Sequence, residues 1–215
     1  MAAVPSIGEG LAALGLDPTA DQLAQVDLYL AEIELWNPRA GLVNAAGAEL
    51  IVRHLFDSLA GLPYIEALAH DSIADVGSGA GFPGIPLAIF LPDAAVTLIE
   101  RSAKRAAFLR NVIALAGLSD RVSVCERGIE AVTERYSLVT LRAFRKFDEF
   151  LPLLRAIARP GGAIVAYKGK RSVSEREVAA AGCAGASEII PLKVPGLDEE
   201  RTLVVVRADA ISRSS

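Results

Sequence analysis

Histidine is nearly missing from this 215-residue chain, which holds only His54 and His70. Cysteine is as scarce: Cys125 and Cys183 stand far apart with no paired spacing. That argues against a disulfide framework or a thiolate metal site, and for reduced thiols in a cytoplasm. No apolar run approaches the ~20 residues of a membrane span, because Pro, Gly or charge breaks each one. Residues 1–10 lack the basic start and apolar stretch of a signal peptide. Internal repeats and low-complexity tracts are absent as well. So is an excess of positive charge: 22 basic residues against 26 acidic give a net charge of −4. A protein that grips nucleic acid over its whole surface is basic, so any RNA contact here has to come from a local patch.

What is present is apolar residue, at 52% of the chain, enough for a large core. The charge is uneven. Residues 1–70 carry nine acids and two bases, Arg39 and Arg53, while the remainder carries 17 acids and 20 bases. Hydrophobic patterning changes at the same place. Before residue 70 the spacing is helical, with segments at 6–14, 19–36, 49–59 and 63–69. Thr19 followed by Gln22 forms a capping signature, and Asn37-Pro38-Arg39 is read as the end of the long helix. This part is expected to be a helical extension packed on a catalytic domain of residues 71–208, with a short tail at 209–215. From residue 73 onward, short apolar strands alternate with helices, and the last two strands, 188–192 and 202–207, follow each other without a helix. That order predicts an α/β fold: a doubly wound, mostly parallel, seven-stranded sheet ending in an antiparallel hairpin.

The most informative stretch begins at the first strand, residues 73–76. It is closed by Gly77, and Gly79 and Gly81 follow before a helical pattern at 84–91. Strand, glycine loop and helix open a nucleotide-binding unit. The next strand, 96–99, ends in Glu100, placed to accept both hydroxyls of a ribose. Two cofactor classes share this geometry. The dinucleotide spacing Gly-x-Gly-x-x-Gly occurs at Gly79, Gly81 and Gly84, but it begins too late after the strand, and Pro83 stands where the helix should enter. The other frame starts with an acid, Asp75-Val76-Gly77-Ser78-Gly79. It resembles the first motif of S-adenosylmethionine-dependent methyltransferases, where a carboxylate suits a cofactor bearing an ammonium and a sulfonium.

Ligands of such sheets bind outside the carboxyl ends of the strands. Gly77 to Phe82, Glu100, Gly128-Ile129-Glu130 and Leu141-Arg142 are therefore candidate walls. Each has a plainer alternative: Phe82 as core, Glu130 as a solvated acid at a helix start, Arg142 paired with Glu130, Asp148 or Glu149. The chemistry narrows by exclusion. After the fourth strand the chain reads Leu141-Arg142-Ala143-Phe144, not the Asn/Asp-Pro-Pro-aromatic motif of exocyclic amine methylation. Cys125 and Cys183 read as small buried hydrophobes rather than nucleophiles. Neither histidine falls on the sheet. With no evident general base, the acceptor that fits is a ring nitrogen with a free lone pair, such as guanine N7, served by positioning and a preorganised polar pocket.

The run from Asp75 to Ile89, and above all Phe82-Pro83-Gly84-Ile85-Pro86, resembles the bacterial small-subunit ribosomal RNA guanine-N7 methyltransferases, the glucose-inhibited division protein B family. Trp36-Asn37, Arg53-His54-Leu55-Phe56-Asp57-Ser58-Leu59, Lys104-Arg105, Arg142-Ala143-Phe144 and Tyr167-Lys168-Gly169 extend the likeness over most of the chain. Gly41-Leu42-Val43 and Thr202 depart from the family's usual residues. The resemblance implies methyl transfer from S-adenosylmethionine to N7 of one guanosine in small-subunit (16S) rRNA, within a ribosomal particle, in the cytoplasm. From the sequence itself, no membrane span and no metal site are expected, and no obligate protein partner is evident. The resemblance places cofactor contacts at Gly77, Phe82, Ile129, Glu130 and Arg142, to which the motif reading adds Gly79 and Glu100; Arg142 is the candidate catalytic, positioning residue. Candidate RNA contacts are Arg101, Lys104, Arg105 and Arg145, with Lys168, Lys170 and Arg171 in the densest basic run. A methyltransferase acting on a small molecule or protein, and a non-catalytic RNA- or nucleotide-binding protein, are the competing readings.

Overall fold

The computed structural model describes residues 4–142 and 147–209. Seven strands form one sheet: β1 Ser72–Val76, β2 Ala95–Ile99, β3 Val122–Cys125, β4 Tyr136–Arg142, β5 Ala158–Lys168, β6 Ser187–Leu192 and β7 Arg201–Arg207. Their spatial order is β3-β2-β1-β4-β5-β7-β6. The first five pair in parallel, whereas β7 runs antiparallel to both β5 and β6. The expected terminal hairpin is therefore there, with β7 inserted between β5 and the edge. Because β7 is reversed, its first residue, Arg201, lies at the same rim as the last residues of β1 to β5. β4 is buried along its whole length except at Arg142, as a central parallel strand covered on both faces must be.

Each face of the sheet has its own core. One joins the N-terminal helices with helices Gly84–Phe90 and Ala103–Leu115; the other holds helices Phe147–Ile157 and Arg171–Ala180. The N-terminal part is thus continuous with the first core. Its long helix, Ala20–Ala40, opens on a capping box in which Thr19 and Gln22 exchange backbone and side-chain bonds, an arrangement worth about 1 kcal/mol. Val26, Tyr29, Leu30 and Ile33 form its buried face. Gln22 and Gln25 donate to the carbonyls of Ile89 (3.0 Å) and Ala116 (2.9 Å), fixing the helix to the next layer.

Two N-terminal elements differ from the sequence reading in ways that bear on the site. The long helix continues past Asn37-Pro38-Arg39 and stops at Gly41, which takes a left-handed conformation (φ 58°). Pro38 lies inside its last turn and has no N–H to give the carbonyl four residues back, so one backbone bond is missing just before the helix stops. The Asn37 side chain closes the exit, its Oδ1 accepting from the amides of Leu42 (2.8 Å) and Val43 (3.0 Å). The helix expected over 49–59 is not uniform: Ile51–Phe56 is a π-helical turn between α-helical ends. The wider turn turns Val52, Leu55 and Phe56 into the core while Arg53, His54 and Asp57 line a cleft. Such turns often mark functional positions.

Candidate active site

Two concave sites lie side by side on the carboxyl rim of the sheet. The first, about 240 Å³, lies over β1, β2 and β3 and is lined by Val76, Gly77, Ile99, Glu100, Arg101, Arg105, Arg127, Gly128, Ile129, Glu130 and Phe150. Its shape is set by backbone. Gly77 has φ 69°, a left-handed conformation that favours glycine, and its amide and that of Ser78 both donate to the Ile99 carbonyl at 2.9 and 3.2 Å. Glu100 is 5% exposed. One of its carboxylate oxygens accepts from the Gly79 amide (2.9 Å) and the other from the Ser102 amide (2.8 Å). The carboxylate is fixed in place, and each oxygen keeps a lone pair for a ligand. Gly79 acts on the pocket through this bond.

Asp75, the acid that opens the glycine motif, does not face this pocket. It is wholly buried, and its Oδ2 accepts from the Gly84 amide at 3.1 Å, pinning the start of helix Gly84–Phe90. Gly84 is required there, since a Cβ would lie 2.7 Å from that oxygen. Burial pushes the Asp75 carboxyl up to about 6, and Oδ1 has no hydrogen-bond partner. The sequence expectation of a carboxylate aimed at a cationic cofactor is corrected on this point: Asp75 supports the loop from behind. Tyr29 supports it from the other side. Its hydroxyl donates to the Ala80 carbonyl (2.8 Å), and its ring meets Phe82 at 5.1 Å.

The second site, about 420 Å³, lies over β4, β5 and the start of β7 and is lined by Arg53, His54, Asp57, Arg142, Tyr167, Lys168, Gly169 and Arg201. Arg142 lies here and not on the first pocket. Its guanidinium donates to the Arg53 carbonyl (3.1 Å) and lies 2.6 Å from His54 Nδ1, 3.6 Å from Asp57 Oδ2 and 5.1 Å from the centre of the Phe82 ring. Its acidic partner is therefore Asp57, not Glu130, Asp148 or Glu149; the π turn brings the carboxylate of an upstream helix to the strand end. Phe82 is 4% exposed beneath this group. Burial, and then the charges of Arg142 and Arg53, hold His54 down to about 3, so the ring is neutral at physiological pH. Its Nδ1 then accepts from Arg142, which leaves the proton on Nε2. Asp57 is pushed up by burial against the pull of Arg142 and Arg201.

The basic residues singled out from sequence do not gather in one place. Arg101 and Arg105 are on the wall of the first pocket. Lys104 donates to the Arg39 carbonyl beside a separate groove that includes Trp36. Lys168 is in the second cleft, 2.7 Å from Glu177 and over the Phe147 ring at 5.2 Å. Arg171 pairs with Glu175 at 2.9 Å, and Lys170 stands exposed at the start of that helix. Arg145 lies outside the described residues. Sequence reasoning missed Arg127 and Phe150 on the first pocket, and Arg53, Asp57 and Arg201 in the second. Arg127 directly precedes Gly128-Ile129-Glu130 and was within reach of that reading; Arg201 carries no local signal.

A seven-stranded sheet with one reversed strand, and a glycine loop and strand-end carboxylate under one pocket, define an α/β methyltransferase fold. Among solved structures, the ribosomal protein L11 methylase of Lactobacillus delbrueckii subsp. bulgaricus superposes with a TM-score of 0.55 at 15% identity, covering 70% of this chain and 78% of that one. TYW2 of M. jannaschii in complex with AdoMet superposes with a TM-score of 0.51 at 18% identity, covering 69% and 75%. The family follows from sequence comparison: residues 22–204 match the family model GidB, rRNA small subunit methyltransferase G, and the chain belongs to that family. Relatives named ribosomal RNA small subunit methyltransferase G include that of Xanthomonas campestris pv. campestris, 40% identical over 95% of this chain and 94% of its own. That of Chromobacterium violaceum is 38% identical over 91% and 93%.

Proposed function

We propose that this protein transfers a methyl group from S-adenosylmethionine to N7 of one guanosine in small-subunit rRNA, acting in the cytoplasm on RNA within a ribosomal particle. The cofactor belongs to the first pocket. Its donor set fits: Glu100 offers two fixed carboxylate oxygens for ribose hydroxyls, the loop at Gly77 and Gly79 offers backbone without side chains, and Ile129 and Phe150 offer apolar surface beside Glu130. When bound there, the cofactor supplies an electrophilic methyl. The second cleft, adjacent across the β1–β4 boundary, takes the guanine.

The observation that carries this reading is the contact between Arg142 and His54. His54 is the only imidazole among the described residues of the cleft, Arg142 lies 2.6 Å from its Nδ1, and burial with the neighbouring guanidinium charges lowers its pKa to about 3. Among the described residues of the cleft, the imidazole is engaged by Arg142 and the Asp57 carboxylate by Arg142 and Arg201, so neither is free to take a proton, and guanine N7 has none to lose. Arg142 cannot serve as a base, because a guanidinium does not deprotonate in proteins. Fixed by Asp57, His54 and the Arg53 carbonyl, it is a preorganised donor for guanine O6, leaving N7 free to attack in line. The test is to incubate the protein with methyl-labelled S-adenosylmethionine and small subunits from cells lacking it, then digest the rRNA to nucleosides. Label in 7-methylguanosine is expected. Label only in another nucleoside, or none, defeats the proposal.

A further inference from the structure

Two arginines at the lip of the second cleft are arranged alike. Arg53 is held through Nε by Glu49 Oε1 at 2.9 Å, and Arg201 Nε makes an ion pair with Asp57 Oδ1 at 3.3 Å without hydrogen-bond geometry. Each keeps its outer nitrogen free of these struts, and both outer nitrogens face one carboxylate: Arg53 NH2 is 2.6 Å from Glu199 Oε1, and Arg201 NH2 is 3.8 Å from Glu199 Oε2. Glu199 comes from the irregular connection between β6 and β7. Glu199 and Glu49 are both half exposed, whereas Arg201 is only 21% exposed and Asp57 behind it 8%. The Arg201–Asp57 end of this arrangement is thus built in, and Glu199, exposed and facing both arginines, is the group a second anion would replace.

We propose that Arg53 and Arg201 form a clamp for an RNA phosphodiester at the lip of the acceptor cleft, and that Glu199 fills it in the free protein. The inference rests on the reading of this cleft as the RNA side, and adds a binding site outside the basic run at 168–171. Two anionic oxygens facing two guanidinium edges is the geometry in which arginine recognises carboxylate and phosphate alike. A pair as exposed as Arg53–Glu199 adds little to folding stability, so a backbone phosphate displaces the carboxylate at small cost. Phosphate contacts of this kind fix register and leave base choice to the cleft. The arrangement also answers how a chain of net charge −4 engages RNA: two of its cations are masked until the substrate arrives.

The experiment measures affinity for unmethylated small ribosomal subunits, with S-adenosylhomocysteine present, across a range of salt. Wild type is compared with Glu199→Gln, Arg53→Gln and the double variant. Glu200→Gln serves as a control that removes the same charge one residue away. Glu199→Gln is expected to tighten binding about 3- to 10-fold more than Glu200→Gln. Arg53→Gln is expected to weaken it and to lower the salt slope by about 0.7 to 0.9, one phosphate's share. In the Arg53→Gln background the gain from Glu199→Gln should shrink. Equal effects of the two glutamate substitutions, or an unchanged salt slope in Arg53→Gln, overturn the clamp. If Arg53→Gln does not fold, the glutamate comparison alone decides. Methyl transfer by wild type on the same subunits is scored separately, so loss of the methyltransferase reading and loss of the clamp are distinguishable.

Discussion

The two sites on the rim are built by different means. The first pocket is made of consecutive short segments: a glycine loop, a strand-end acid and the Gly128-Ile129-Glu130 turn, shaped mostly by backbone. The second is made of charged side chains drawn from the π turn, β4, β5 and β7, and its central group, Arg142, is fixed by residues more than 80 positions upstream. A backbone-built pocket suits a cofactor that never changes. A side-chain-built cleft is where a substrate can be specified, and where substitutions change chemistry without abolishing cofactor binding.

The largest expected effect is on the first site. Gly77→Ala puts a Cβ at a left-handed position on the pocket wall. Cofactor affinity, read by calorimetry with S-adenosylhomocysteine, should fall by about 100-fold; wild-type affinity in a folded Gly77→Ala protein would place the cofactor elsewhere. Arg142→Ala should show the opposite signature. The methylation rate at saturating cofactor should drop by about 100-fold while cofactor affinity changes by less than about 3-fold, with Arg142→Lys a poor rescue because it lacks the planar fork. A large loss of cofactor affinity in Arg142→Ala would merge the two sites into one.

Much of the first site was legible because its determinants are local. Gly77, Glu100 and Ile129 each sit at a strand end that apolar patterning already located. The second was legible only in part. Arg142 could be placed at the end of β4, yet its partner was sought nearby, at Glu130, Asp148 or Glu149, because nothing in a linear pattern announces that Asp57 will arrive from another layer. The π turn hid this further: over six residues its spacing is not separable from that of an ordinary helix. Tyr29 was readable as one apolar position in an amphipathic helix, but not as the hydroxyl that holds the Ala80 carbonyl.

Two smaller effects sharpen the contrast. His54, with its folded-state value near 3 against 6.5 for the free group, resists protonation when folded. The stability tied to it is complete above about pH 6.5 and is lost as pH falls toward 3. Asp75, raised to about 6 from 3.8, works the other way, contributing stability that is complete below pH 3.8 and lost as pH rises through 6. In acid melts between pH 6.5 and 4, His54→Gln should therefore decline less than wild type, and Asp75→Asn should decline more. The reverse order would contradict the burial of one of these groups in the folded protein. Smaller still is Lys170→Ala: exposed and outside both sites, it should weaken rRNA binding by less than about 3-fold through one screened charge.

The absence of a general base is the claim on which the chemistry rests, and a pH profile tests it most directly. The rate of single-turnover methyl transfer to unmethylated small subunits should be measured from pH 6 to 9 at saturating cofactor, for wild type and His54→Gln. The expected result is a flat profile for both proteins, since guanine N7 attacks without losing a proton and His54 stays neutral throughout. A one-proton rise with a midpoint between pH 6 and 7 that disappears in His54→Gln would contradict it, and would make His54 the base.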